Sequence, residues 1–246
     1  MNSICIAIPA RYHSTRLPGK PLLKIENKTI IEHVYRNALR INGISDKNII
    51  ILTDDKRIHK EVTRFGGRCY ISKQECPNGT ARIQDYIQET ALDADFIINI
   101  QGDEPFFDIQ KIEELIELFK EEHCKNNVKC GTLYYTTNDE EYAGSKNKVK
   151  LVLNQKNYIM YGSRQLIPGS KKKEDITYHI HIGIFIFEKD FFMNPPTNTS
   201  YQLIEDLEWL SIIETDQKII ACPVNYHERG VDTMEDYEYL KQKFTS

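Results

Sequence analysis

The feature that most constrains the fold is a regular alternation of short apolar runs with amphipathic segments in the first half of the chain. Runs of apolar and β-branched residues predict strands at residues 3–9, 48–52, 68–71 and 95–100. Apolar positions at helical spacing predict helices at residues 30–39, 57–65, 80–90 and 109–119. This alternation predicts a doubly wound α/β fold with a mainly parallel sheet, and such folds bind ligands beyond the carboxyl ends of their strands.

The second half of the chain has a less regular pattern. It predicts strands at residues 129–136, 149–154, 182–187 and 218–224, and helices at residues 201–213 and 234–244. A Lys-rich stretch at residues 168–175 is typical of a solvated loop. Because no internal repeat or low-complexity linker interrupts the chain, we expect a single domain that spans residues 1–246.

Charge and cysteine usage argue against several classes of protein. The formal net charge is −4 and the Lys and Arg residues are spread along the chain, which does not favour a nucleic-acid binder. No run approaches the ~20 apolar residues of a membrane span, and the N-terminus has no export signal pattern. The six cysteines lack C-x-x-C spacing, so we expect reduced thiols. These features predict a cytoplasmic protein that binds neither a membrane nor nucleic acid.

A polar, basic loop follows the first predicted strand, in the sequence IPARYHSTRLPGKPL. It carries three cations, two hydroxyl side chains and a glycine, namely Arg11, Arg16, Lys20, Ser14, Thr15 and Gly19. Such a set suits a triphosphate whose charge must be held while pyrophosphate leaves. The loop is not a Walker loop, because the G-x-x-x-x-G-K-[ST] order is absent. The alternative is a solvated basic loop between a strand and a helix.

Two acidic segments are candidates for a metal site. The string QGDEP follows the predicted strand at residues 95–100 and places Gln101 and Asp103 at its carboxyl end. A carboxylate there can coordinate Mg²⁺, and Asp103 is the favoured ligand. Asp232 precedes the last predicted helix, which Asp232 and Thr233 could instead cap. The residues alone leave both roles open for Asp232.

The string from Arg11 to Leu22 resembles the signature R-x-x-S-x-R-L-P-x-K-P-L of 3-deoxy-manno-octulosonate (KDO) cytidylyltransferases. The resemblance implies a fold of the nucleotide-diphospho-sugar transferase type. It implies transfer of CMP from CTP to the anomeric hydroxyl of an acidic sugar, release of pyrophosphate and Mg²⁺ as the cofactor. It also implies that residues 129–190 form a β-rich subregion for acceptor binding and dimerisation, so a homodimer is expected. The product is expected to enter a surface glycan, either lipopolysaccharide or capsule.

The resemblance also implies roles for individual residues. QGDEP and GVDT-x-ED match its two metal-bearing motifs, so Asp103 and Asp232 are the implied metal ligands. The implied catalytic residues are Arg11, Arg16, Lys20 and Asp103. The implied nucleotide contacts are Ala10, Arg11, Ser14, Thr15, Arg16, Lys20, Thr53, Asp54, Asn78, Gly79, Thr80 and Asp103. The implied acceptor contacts are Arg82, Gln101, Tyr161, Arg164, His181, Gln202 and Glu205. Without the resemblance, the Asn-Gly-Thr string at residues 78–80 is a turn with a helix cap, and a lone His in an apolar strand is structural.

The chain departs from the family pattern mainly among the acceptor positions. The family's Tyr after H-x-G-I is Phe185, its aromatic before S-R is Gly162 and the acid of its G-T-[DE]-R is Ala81. Its L-E-x-x-E-x-L-E-Q-L-R becomes YQLIEDLEWLS at residues 201–211, where Trp209 replaces an amide. Because a site that hydrogen-bonds a hydroxyl rejects analogues without it, these changes favour a different acceptor. The alternatives are amino-KDO, another ulosonic acid or an unrelated small acid, or else a non-catalytic nucleotide-binding regulatory protein.

Overall fold

Two compact units make up the chain. Unit 1 consists of Met1–Gln110 and Glu228–Ser246, and unit 2 consists of Lys111–His227. The computed structural model describes residues 3–14, 16–169, 171, 176–195, 199–225 and 228–245. Both ends of the chain therefore belong to unit 1.

Unit 1 contains a parallel sheet with helices in the connections. Its elements are β1 (Ile4–Pro9), β2 (Lys24–Ile25), β3 (Lys28–Thr29), α1 (Ile30–Ala38), β4 (Ile49–Thr53), α2 (Lys56–Arg64), β5 (Cys69–Ile71), α3 (Gly79–Thr90), β6 (Phe96–Asn99) and, at its end, α9 (Met234–Thr245). The sheet has the strand order β6-β1-β4-β5, and every neighbouring pair is parallel. The short strands β2 and β3 form a separate antiparallel hairpin.

Apolar composition explains why β1, β4 and β6 form the inner part of this sheet. Ile6, Ile51 and Ile98, one from each strand, are all 0% exposed. Strands that are buried on both faces require such continuous apolar runs. The helices begin at polar caps, since Asp55 and Asn78 each accept a hydrogen bond of 2.8 Å from a backbone amide in the first turn of α2 and α3. The predicted turn and cap at Asn78 are thus observed.

Helix α9 packs on the basic loop of unit 1. Leu17 of the loop, Val231 just before α9 and Leu240 of α9 share one buried cluster with Ile25 and Ile30. Burying a large aliphatic side chain contributes about 1.5–3 kcal/mol, so this cluster is a substantial part of the unit's stability. It holds the segment before α9 close to the loop after β1.

Unit 2 is richer in antiparallel pairing. The elements after β6 are α4 (Ile109–Asn126), β7 (Cys130–Thr137), α5 (Glu140–Ala143), β8 (Lys150–Leu153), β9 (Ile159–Ser163), β10 (Tyr178–Glu188), α6 (Asp190–Met193), α7 (Ser200–Glu205), α8 (Leu210–Glu214) and β11 (Ile219–Pro223). Strand β7 pairs in parallel with β11 and antiparallel with β10, while β8 lies antiparallel to both β10 and β9. The predicted α/β class, with a β-rich part in the second half, is therefore observed.

The single helix predicted at residues 201–213 is wrong, because two short helices, α7 and α8, occupy this segment. Asp206 ends α7 with a φ of 54°, a left-handed conformation that an α-helix cannot continue. The amide of Leu207 donates back to the carbonyl of Gln202 at 3.2 Å, and α8 begins after Trp209. The helical spacing of apolar residues persists across the break, which is why the sequence did not reveal it.

Two other features are the hydropathy of the helices and the state of the cysteines. Within the described ranges, no helix combines the length and the apolarity that a bilayer span requires. All six cysteines are free, and burial raises the pKa of Cys5 and of Cys69 to about 12. Since the thiolate is the reactive form, these two thiols are chemically quiet.

Candidate active site

Tyr12 shapes the loop that follows β1. Its carbonyl oxygen accepts a hydrogen bond of 2.8 Å from the Gly19 amide, and the Arg57 guanidinium lies 3.3 Å from the centre of its ring. Gly19 has a φ of 72°, and a Cβ there would meet the Tyr12 ring at 3.1 Å. The positive φ therefore favours glycine, and a Cβ would also crowd the Tyr12 ring. After this turn Lys20 begins a short 3₁₀ helix and is 8% exposed.

Lys20 joins two carboxylates that are far apart in the sequence. Its Nζ donates to Asp103 Oδ2 and, at 3.2 Å, to Asp232 Oδ1. Arg16 contacts the same Asp232 oxygen at 3.1 Å. The side chains of Asp103 and Asp232 are 26% and 47% exposed, so solvent and ligands can reach them. The convergence expected from the sequence is therefore observed.

Thr233 and Asp236, rather than Asp232, cap helix α9. The Thr233 amide donates to Asp236 Oδ2 at 3.0 Å, and the Asp236 amide donates to Thr233 Oγ1 at 3.2 Å, which is a reciprocal capping box. The carboxylate of Asp232 contacts Lys20 and Arg16 instead. Of the two roles left open for Asp232, helix cap and metal ligand, the role of helix cap belongs to Thr233.

Backbone contacts bring the Asp232 segment to the Asp103 segment. The amide of Val231 donates to the carbonyl oxygen of Asp103 at 2.8 Å. A Cβ at Gly230 would lie 2.8 Å from Glu104 Oε1 and 3.2 Å from the carbonyl oxygen of Asp103, so the two segments approach closely here. The two carboxylates are thus placed by main-chain geometry as well as by the cation between them.

The electrostatics of this cluster keep Lys20 charged. Burial lowers the pKa of an ammonium group, but the charges and hydrogen bonds of Asp103 and Asp232 outweigh burial and raise the pKa of Lys20 above its ordinary value. Two carboxylate oxygens that converge on one cation also suit Mg²⁺, which takes one or two protein carboxylates and completes its shell with phosphate oxygens and water. Among the described residues there is no cluster of three or more His, Cys, Asp or Glu that could form a closed metal cage.

Arg82 lies behind Asp54 in unit 1. It is 3% exposed, and its guanidinium donates to Asp54 Oδ2 at 2.6 Å and to the carbonyl oxygen of Ala10 at 3.5 Å. The Asp54 side chain is 40% exposed, whereas Thr53 is fully buried. The structure thus gives Arg82, which the resemblance implied as an acceptor contact, two protein partners and almost no open surface.

Asn78, Gly79 and Gln101 lie around Pro9, the last residue of β1. A Cβ at Gly79 would meet Pro9 Cγ at 3.1 Å and Gln101 Oε1 at 3.9 Å. The amide of Gly102 donates to the carbonyl oxygen of Pro9 at 3.2 Å. Segments that follow β1 and β6 therefore meet the start of α3, as expected for the carboxyl edge of a parallel sheet.

The other predicted nucleotide contacts differ in exposure. Arg11 is exposed, Ser14 and Thr80 are partly buried and Ala10 is 4% exposed. Thr15 lies outside the described residues.

In unit 2, Glu205 gathers several of the predicted acceptor contacts. Its carboxylate accepts hydrogen bonds from the Tyr161 hydroxyl at 3.3 Å, the Ser163 hydroxyl at 2.7 Å and the Arg164 amide at 3.0 Å. Burial raises the pKa of Glu205, but these hydrogen bonds outweigh burial and hold the pKa below its ordinary value. The Arg164 side chain also donates to the Glu205 carbonyl at 3.0 Å. These contacts fix the end of α7 on β9.

The two remaining acceptor candidates have polar partners of their own. Gln202 accepts a hydrogen bond of 3.0 Å from the Thr199 hydroxyl. His181 is partly buried on β10, and its Nε2 lies 3.0 Å from the hydroxyl of Thr132.

Lys150 is a buried ammonium group to which the sequence assigns no individual role. It is 0% exposed, and its Nζ donates to the carbonyl oxygens of Ser145 at 3.1 Å, Lys148 at 2.7 Å and Arg164 at 2.7 Å. Burial lowers its pKa. One of the three bonds holds the backbone of Arg164, and the other two hold the segment before β8. The signal in the sequence was a lysine inside an otherwise apolar strand. Tyr12 was missed, since an aromatic residue in a basic loop has no distinctive pattern.

A parallel α/β sheet with fixed cations and paired carboxylates at the carboxyl ends of its strands is the architecture of a nucleotide-binding transferase. A family model described as cytidylyltransferase matches residues 4–219. The chain belongs to the cytidylyltransferase family.

Relatives and solved structures resemble the chain over nearly its whole length. The 3-deoxy-manno-octulosonate cytidylyltransferase of Fusobacterium nucleatum is 40% identical over 241 residues, which cover 96% of each protein. The 8-amino-3,8-dideoxy-manno-octulosonate cytidylyltransferase of Shewanella baltica is 36% identical and covers 98% of each. The structure of CMP:2-keto-3-deoxy-manno-octonic acid synthetase complexed with CTP is 31% identical, with a TM-score of 0.90 and coverage of 99% of this chain and 98% of that one. The predicted fold is confirmed.

Proposed function

We propose that the protein transfers CMP from CTP to the anomeric hydroxyl of KDO or a close relative and releases pyrophosphate. The observation that carries this proposal is the convergence of Arg16 and Lys20 with Asp103 and Asp232 in unit 1. The similarity to proteins named as KDO and amino-KDO cytidylyltransferases supports it. Membership of an enzyme family, with these charges retained, argues against a non-catalytic regulatory protein.

In the proposed reaction, the anomeric oxygen of the acceptor attacks the α-phosphorus of CTP, and the bond from that phosphorus to the pyrophosphate oxygen breaks. The attacking hydroxyl loses its proton to water as the new bond forms. Arg11, Arg16 and Lys20 stabilise the charge of the departing pyrophosphate, because fixed cations aimed at developing charge lower the barrier. Asp103 and Asp232 would hold Mg²⁺, which would neutralise phosphate charge when bound.

We assign the remaining contacts in two groups. The nucleotide contacts are Ala10, Ser14, Thr15, Thr53, Asp54, Asn78, Gly79 and Thr80. The acceptor contacts are Gln101, Tyr161, Arg164, His181, Gln202 and Glu205. Arg82 is retained as an acceptor contact, and because it is bonded to Asp54 we propose that it also holds that carboxylate in place.

We further propose a homodimer that works in the cytoplasm. Unit 2 exposes three large side chains with apolar surface on α7, Tyr201 at 49%, Leu203 at 78% and Ile204 at 74%, and a second copy of the chain would cover them. The free cysteines fit a reducing compartment. Light scattering from the purified protein tests the oligomeric state.

The proposed function is tested by pyrophosphate release from CTP in the presence of KDO and Mg²⁺. We expect turnover by the wild type and a loss of about 10²–10³-fold in kcat for Asp103→Asn, because the substitution removes a charge aimed at the reaction centre. Asp93→Asn, an exposed aspartate of the same unit, is the matched control. A wild type that binds CTP but turns over none of a panel of acidic sugars would support the regulatory alternative. Turnover of another acid but not of KDO would leave the proposed cytidylyl transfer in place and would replace KDO by that acid as the proposed acceptor.

A further inference from the structure

Gly162 and Trp209 are packed so closely that the indole of Trp209 can keep its position only if residue 162 is glycine. A Cβ placed on Gly162 would lie 2.2 Å from Cη2 of the Trp209 indole. Carbon atoms in contact lie about 3.5–4.0 Å apart, so no side chain fits at position 162 while the indole keeps its place. The indole is well packed, since Trp209 is 5% exposed. Gly162 therefore forms the seat of Trp209.

The seated indole borders the imidazole of His181. The two ring centres are 5.5 Å apart, and the Phe185 ring lies 4.9 Å from the same imidazole. A regular strand would separate positions 181 and 185 by about 13 Å, but the register of β10 shifts between Ile182 and Phe185. We call the rings of Phe185 and Trp209, together with Gly162 against which the indole packs, the aromatic wall around His181.

Thr132 fixes the orientation and tautomer of His181. Its hydroxyl oxygen lies 2.8 Å from the carbonyl oxygen of Ile184, 3.2 Å from that of Ile182 and 3.0 Å from His181 Nε2. A hydroxyl has one hydrogen, and carbonyl oxygens can only accept, so the Thr132 hydrogen goes to a carbonyl. His181 Nε2 is then the donor to Thr132, and the imidazole is held between this bond and the aromatic wall.

The three members of the aromatic wall are three of the positions at which the chain departs from the family pattern. They contact His181 or each other, so the departures form one connected change. None of the three side chains carries a carboxylate, an amide or a hydroxyl. Apart from the indole N–H of Trp209, His181 is therefore the polar group at this wall that can select an acceptor.

We propose that Trp209, seated on Gly162, is a positioning residue for His181 and that this pair sets the acceptor selectivity of the enzyme. An apolar wall discriminates between acceptors that differ by one hydroxyl or amino group by no more than about 10²-fold, whereas a hydrogen-bonding wall reaches about 10⁴-fold. The enzyme is therefore expected to discriminate between KDO and its 8-amino analogue by no more than about 10²-fold in kcat/KM. This inference rests on the proposed function.

The test compares kcat/KM for KDO and for 8-amino-8-deoxy-KDO in the wild type, Trp209→Gln and Trp209→Phe. Trp209→Gln places an amide beside His181 and is expected to change the ratio of the two values by about 10-fold or more, with the KM for CTP unchanged within about twofold. Trp209→Phe keeps an aromatic ring and should retain the wild-type ratio. A purely structural role of Trp209 would instead alter the parameters of CTP and acceptor together.

A second measurement uses Trp209 as a probe, since it is the single tryptophan of the chain. Gly162→Ala should displace the indole, shift its emission to the red and raise the KM for the acceptor. The double variant Gly162→Ala/Trp209→Gln should match Trp209→Gln in stability and acceptor KM, because removal of the indole makes room for the added methyl group. Additive losses in the double variant would overturn the pairing.

The outcomes separate the two proposals. A wild type that turns over no acidic sugar refutes the proposed function and the inference with it. A wild type that is active, with an acceptor ratio that Trp209→Gln leaves unchanged, refutes the inference alone.

Discussion

Replacing Lys20 by methionine separates the catalytic role of the cluster from its structural role. Met keeps most of the side-chain volume but removes the ammonium group that contacts Asp103 and Asp232. Breaking a fully buried pair costs about 3–5 kcal/mol, but both carboxylates here are partly exposed, at 26% and 47%, so water offsets much of that loss. We expect a loss of about 1–2 kcal/mol in the free energy of unfolding. A domain of ordinary stability, about 5–15 kcal/mol, remains folded after such a loss.

The expected loss of activity is larger than the loss of stability. A fixed donor aimed at developing charge contributes about 10²–10³-fold to kcat, which is about 3–4 kcal/mol. The assay is steady-state pyrophosphate release at saturating CTP and KDO, with urea denaturation of the same preparation for stability. Lys60→Met, an exposed lysine on α2, controls for the loss of a positive charge in unit 1. A folded Lys20→Met variant with kcat within about threefold of the wild type would refute the assignment of Lys20 to the leaving group.

Two further predictions concern unit 2. Glu214 accepts hydrogen bonds from the amides of Ser200 and Tyr201 at 2.8 Å; burial raises its pKa, but these and related bonds outweigh burial and keep the pKa below its ordinary value. At pH values above the ordinary Glu pKa, its carboxylate therefore stabilises α7, and this stabilisation is lost as the pH falls through the lowered pKa. The difference in Tm between the wild type and Glu214→Gln should therefore shrink from pH 7 towards pH 3. Lys150→Met removes the donor of three partly buried carbonyl groups and should cost about 2–4 kcal/mol in urea denaturation, whereas Lys156→Met, at an exposed site, should cost less than about 0.5 kcal/mol.

The convergence at the carboxyl edge of the unit 1 sheet was predictable from the sequence. Lys20 and Asp103 follow two strands that are parallel neighbours, β1 and β6, and loops after parallel strands meet at one edge. The contact between Lys20 and Asp232 spans 212 positions, and no local pattern predicts such a contact. Its prediction depended on the family motif around Asp232.

The role of Asp232 could have been narrowed further from sequence alone. Thr233 and Asp236 have the spacing of a capping box, and a complete box satisfies the free amides at the start of α9 without help from Asp232. The cap was therefore assignable to Thr233, which leaves Asp232 available for a different role.

Other features of the candidate site could not be predicted because they depend on tertiary packing. Nothing in the motif around Arg82 shows that the guanidinium is buried behind Asp54. The left-handed Asp206 interrupts a segment whose apolar spacing remains helical on both sides. The contact of Gly162 with Trp209 joins residues on separate elements, and only the structure shows that the two departures depend on each other.

The placement of Asp232 links the integrity of the candidate site to the fold of unit 1. Asp232 lies between Val231, whose amide bonds the Asp103 carbonyl at 2.8 Å, and the capped start of α9. Val231, just before α9, and Leu240 of α9 are fully buried beside Leu17 of the basic loop. The same apolar cluster therefore fixes both the cationic loop and the second carboxylate, so the two carboxylates can be brought together only when the C-terminal segment has packed. A chain that lost this packing would lose the paired carboxylates even though Lys20 and Asp103 were unchanged.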